Sequence, residues 1–137
     1  MKIWLASGLA LAGAVLSLTA AAQEANLAKP SLVIKKVVEG MPRGEKQEVS
    51  VLSATLKPGD KTVFHTHRFP VTVYVLEGAF TLELEGHPTV SVKAGEAFIE
   101  PPQVKMTGYN KSATEPMRVV IFYVSDLDTP FLDEAHH

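Results

Sequence analysis

Phe80, Leu82 and Leu84 alternate with Thr81 and Glu83. Side chains two apart on a strand share a face, so this is the period of a half-buried strand. Val90 and Val92 alternate with Ser91 and Lys93 in the same way. From Ser31 onward the chain is a series of such runs, each stopped by turn residues. The pattern predicts strands over Ser31–Val38, Gln47–Leu56, Thr62–Arg68, Thr72–Leu76, Phe80–Leu84, Val90–Lys93, Ala97–Ile99, Val104–Tyr109 and Arg118–Val124. The stops include Lys57-Pro58-Gly59-Asp60, Glu77-Gly78, Gly86-His87-Pro88 and Pro101-Pro102. No helical period of useful length interrupts the series. Short strands every ~8–12 residues argue an antiparallel sandwich or barrel. Arg118–Val124 is apolar on both faces, the pattern of a strand packed on both sides or at a subunit interface.

The first residues read differently. Met1-Lys2 open an apolar run from Ile3 to Leu18, followed by Thr19-Ala20-Ala21-Ala22-Gln23. A basic start, a short apolar stretch and small residues at Ala20 and Ala22 are the marks of a secretory signal, cleaved near Ala22. The run is short for a membrane span, which takes ~20 residues, and no Cys follows it to carry a lipid anchor. The expected organisation is a signal peptide at 1–22, a lead-in at 23–30, a barrel at 31–125 and an irregular tail at 126–137. The expected location is outside the cytoplasm, in a bacterial periplasm.

Composition narrows the chemistry. The 137 residues suffice for one domain. With a formal net charge of −2 and no basic stripe, nucleic acid is not an expected partner. Cysteine is absent, which removes disulfides, thiolate catalysis and thiolate metal sites.

The sharpest local feature is Phe64-His65-Thr66-His67. On a strand, His65 and His67 point the same way and converge at a reach that suits a shared metal ion. Gly59, His65, His67 and Gly78 fall in the register G-x5-H-x-H…G, and Gly95, Pro101 and Asn110 fit a second motif, G-x5-P…N. Together they resemble the two motifs of the cupin superfamily, over about Leu56 to Val124. The resemblance implies a small antiparallel jelly-roll barrel with its site inside, and a homodimer. It also implies a centre of three histidines and one glutamate. This sequence has Val71 at the glutamate's place, Met106 at the third histidine's and Gln103 at the second glycine's.

Two readings of the interior stay open. His65, His67 and Met106 could hold a soft metal such as copper, because a thioether is a soft, uncharged ligand. Alternatively the barrel is metal-free and encloses a small molecule, lined by Val71, Val73, Val75 and Met106, with His65, His67 and Gln103 as its polar groups. A metal-dependent oxygenase, isomerase or decarboxylase with His65 and His67 as ligands is a further alternative, and an inert structural barrel another. No catalytic residue is assigned. Arg68 is read as solvated or as an anion contact at the mouth, His87 as a solvated turn residue, and His136 and His137 as a disordered end.

Overall fold

The computed structural model describes residues 1–5, 7–10, 13 and 26–137. The expected cleavage site and half of the apolar run before it lie outside the described residues. Met1–Ser31 and Leu32–His137 are separate compact units, and the strands among the described residues all lie in the second. Among the described residues no helix is long and apolar enough to cross a membrane.

Among the described residues nine strands make two antiparallel sheets. They are β1 (Glu48–Leu56), β2 (His65–Thr66), β3 (Val71–Glu77), β4 (Ala79–Leu84), β5 (Val90–Lys93), β6 (Ala97–Glu100), β7 (Met106–Tyr109), β8 (Met117–Ser125) and β9 (Asp133–Glu134). The first sheet runs β1-β8-β3-β6 and the second β5-β4-β7-β2-β9. The all-β barrel predicted from the period-two pattern is the observed fold. Val71, Val73, Val75, Val119 and Tyr123 from the first sheet share one core with Phe80, Leu82, Leu84, Val92 and Met106 from the second. Alternation explains the selection: along β3 Val71, Val73 and Val75 are buried, and β4 continues the rhythm.

Glu77-Gly78 is the corner at which the chain leaves the first sheet for the second, so β3 and β4 do not form a hairpin. Gly78 has φ +74°, and a Cβ there would lie 2.6 Å from the Pro116 carbonyl oxygen. Only glycine fits such a corner without strain.

Three predicted elements change. Ser31–Val38 is not a strand; Leu32, Val33 and Val37 are exposed. An apolar pattern makes a strand only where a neighbour offers a ladder, and this segment pairs with none. Thr62–Arg68 shrinks to two residues, because upstream the Thr62 hydroxyl, not a backbone carbonyl, accepts from the Gly108 N–H at 2.9 Å. The tail predicted as irregular supplies β9, which pairs with β2 through His65↔Glu134 and Thr66↔Asp133.

Candidate functional site

The short strand β2 and the residue that follows it turn His65 and His67 inward, where they are 5% and 1% exposed. His65 stands in register with Met106 on β7, and Met106 with Leu84 on β4. Met106 is fully buried beside this row. Facing it, the first sheet contributes the row Tyr123↔Val71↔Glu100. Val71 stands where the motif's glutamate was sought, and its partner across the ladder is a glutamate. Glu100 is 4% exposed, and its Oε2 lies 3.2 Å from His67 Nε2. The carboxylate missing from β3 is therefore supplied by the neighbouring strand β6.

The tautomers follow from the partners. His65 Nδ1 lies 2.6 Å from the Val63 carbonyl oxygen, and His67 Nδ1 lies 2.6 Å from that of Phe131. A carbonyl oxygen only accepts, so both Nδ1 atoms carry hydrogen. The two Nε2 atoms then face each other at 3.1 Å. Two neutral imidazoles in this tautomer would direct lone pairs at one another beside a carboxylate, an arrangement that calls for one cation. A proton on one Nε2 satisfies it; so does a metal ion. Burial lowers the pKa of His65 from 6.5. The Val63 carbonyl opposes that shift, His67 adds to it, and Glu100 opposes it again. Burial thus favours the neutral imidazole at His65.

The donor types suit a metal: two imidazoles and a carboxylate are a recurrent transition-metal set. With bonds of ~2.0–2.1 Å, adjacent ligand atoms sit about 3.0–3.4 Å apart, and both separations above match. As they stand, however, the three form a hydrogen-bonded chain, and no group of three His, Cys, Asp or Glu among the described residues is arranged to hold a metal ion. Metal uptake requires the side chains to shift.

The chain's end holds the site. The Phe131 carbonyl fixes His67, and the Phe131 ring lies 4.7 Å from the imidazole. Arg68 clamps Asp133 through two bonds, Nε–Oδ2 at 2.8 Å and Nη2–Oδ1 at 3.0 Å; its side chain is exposed, as the solvated reading expects, and its guanidinium is spent on the chain's own carboxylate. The His137 ring stacks on Phe64 at 4.2 Å, so the end of the chain is packed. Among the described residues the buried Tyr123 hydroxyl has no well-formed hydrogen bond; burial raises its pKa, and the nearby Phe69 and Arg68 backbone opposes the rise.

Other predicted site residues are dispersed. Gln103 is exposed in the turn after Pro101-Pro102, with φ +61°. That left-handed backbone explains why the resembled motif has glycine there, and it takes the side chain out of the interior. Only the Gln103 N–H reaches the site's strand, donating to the His67 carbonyl at 2.8 Å. Val71, Val73 and Val75 are buried in the core, and none borders a nearby cavity of about 740 Å³. That cavity is walled by Leu84, Val90, Phe98 and prolines, with Glu100 among its lining residues and His87 at its edge. Sequence reasoning passed over Glu100; the available signal was that Phe98 and Glu100 share a face in a strand.

The family model for the cupin domain matches residues 52–123. Solved structures with similar folds include the DMSP lyase DddQ from Ruegeria pomeroyi, at 18% identity and TM-score 0.55, covering 64% of this chain and 43% of that one. The polyketide cyclase RemF from Streptomyces resistomycificus is similar at 23% identity and TM-score 0.52, covering 65% and 61%. A double-stranded β-helix protein from Klebsiella pneumoniae is similar at 23% identity and TM-score 0.54, covering 73% and 90%. The chain thus spans less than two thirds of the lyase and of the cyclase. At these identities the likeness is one of fold. No curated protein matches the chain in sequence.

Proposed function

The chain belongs to the cupin family, and on that footing we propose that it binds a small molecule beside a single-cation centre made by His65, His67 and Glu100. The cation is a transition metal such as copper, with Met106 next to His65 as a candidate soft donor. The observation that carries this reading is the pair of Nε2 atoms 3.1 Å apart, both Nδ1 atoms being tied to carbonyls. Glu100 supplies the anion that two neutral imidazoles lack. When bound, the metal would supply a Lewis acid for an oxygen-bearing ligand.

The protein's own groups have separate roles. His65 presents a neutral lone pair. Glu100 balances the charge and accepts hydrogen bonds. The Phe131 carbonyl holds the His67 ring in one orientation, as outer partners of metal-binding histidines do. Apolar walls keep water from the buried donors. We assign the protein to export on its signal-like start, and the test is the N-terminal sequence of the protein recovered from the periplasm.

The centre is tested by titrating the chelator-treated protein with Cu(II) and with Zn(II) while following the histidine ring resonances. One ion should bind and shift both His65 and His67, and Glu100→Gln should weaken it. Uptake that moves only His136 and His137 would overturn the centre and leave a metal-free pocket.

A further inference from the structure

The structure assigns a ligand class to the cavity of about 740 Å³ beside Glu100: we propose that it takes an uncharged, largely apolar molecule ending in one hydroxyl, which donates to the Glu100 carboxylate. The inference rests on the small-molecule reading above and is drawn for the metal-free centre.

The walls argue the apolar body. Leu84, Val90 and Phe98 line the cavity from β4, β5 and β6, and Pro70 and Pro102 stiffen its side. The volume lies within the usual ~300–1,000 Å³ of ligand pockets. The segment Lys36–Gly40 completes the wall. Its position is set at Gly40, with φ +78°, where a Cβ would stand 2.9 Å from Pro102 Cγ. Any larger residue would push the segment off the prolines.

The polar groups argue the hydroxyl. Glu100 is the buried charged residue of this lining. One of its oxygens is engaged by His67, and a carboxylate has lone pairs to spare but no hydrogen to give. An anionic ligand would be repelled there. A full positive charge would lose its hydration against apolar walls at high cost. A neutral O–H donor meets the carboxylate at the lowest cost. Lys36, Glu39 and His87 also line the cavity, and all three are exposed. Lys36 and Glu39 carry opposite charges, so the edge does not select an anion.

The test uses three probes by calorimetry on chelator-treated protein: a naphthol, its methyl ether and the matching naphthoate. Naphthol should bind about tenfold more tightly than the ether, as a hydrogen bond to a charged group allows, and naphthoate should bind most weakly. Val90→Trp, which fills the cavity, should abolish naphthol binding while metal uptake stays normal. Glu100→Gln should narrow the gap between naphthol and ether. No naphthol binding, naphthoate binding as tight as naphthol, or unchanged binding in Val90→Trp would each overturn the assignment. The probe series on the unaltered protein decides the ligand class by itself. Metal content, measured separately, reports on the centre, so failure of one reading is not failure of the other.

Discussion

The two sheets divide the work. The first contains the nine-residue strands β1 and β8 and the seven-residue β3, paired in register over most of their length. The second has no strand longer than six residues, and β2 and β9 are two residues each. Yet His65 and Met106 stand in the second sheet, and His67 directly follows its strand β2. Where the ladder is long, backbone bonds hold the geometry. Where it is short, side chain to backbone bonds hold it: His65 to Val63, His67 to Phe131, Gly108 to Thr62. The wall is generic, and the stitched region is the specific one.

The largest effect should come from breaking the link between the sheets. His67→Ala leaves Glu100 buried without its partner and should cost about 3–5 kcal/mol in urea unfolding. Adding Glu100→Leu should recover most of that loss. Next, Met117→Ala in the first sheet should cost about 2–5 kcal/mol as a cavity, with metal uptake by the folded protein unchanged. If it abolished uptake, the division between the sheets would fail. Tyr123→Phe removes a buried hydroxyl with no well-formed hydrogen bond among the described residues and should raise stability by about 1 kcal/mol. A loss would mean that the hydroxyl has a partner after all.

The smallest effect belongs to the exposed clamp. Arg68→Ala should change global stability by no more than ~1 kcal/mol. It should still speed hydrogen exchange at the Ala135 amide, which donates to the Phe64 carbonyl at 2.9 Å. The clamp lowers the pKa of Asp133 below its ordinary value of 3.8. The folded state therefore binds the proton less readily than the unfolded one. The contribution is present above about pH 4 and is lost as pH falls through the lower folded value. Protection at Ala135, corrected for intrinsic exchange, should be level above that pH and fall below it.

Period-two alternation made the first sheet legible, because long strands with one buried face repeat their signal: Gln47–Leu56 and Arg118–Val124 were bounded to within a residue or so of β1 and β8. The second sheet was harder. Two residues carry no period, so β9 left no trace in Asp133-Glu134. Ser31–Val38 shows the converse, an alternation without a strand to pair with. At the site, the spacing of His65 and His67 fixed that they share a face. Glu100 escaped because its role depends on lateral register, Val71↔Glu100, and register between strands is not written along either one. The role of Phe131 escaped for the same reason: the bond to His67 spans 64 positions of chain.

The most direct test of the cation centre is elemental analysis of the protein purified without a tag, alongside His65→Ala and Glu100→Gln. The account expects about one transition-metal ion per chain, with the usual strong pH dependence of histidine ligation. It expects loss of that ion in His65→Ala and depletion in Glu100→Gln. Protein that carries no metal, and takes none up from excess copper or zinc at neutral pH, would contradict it.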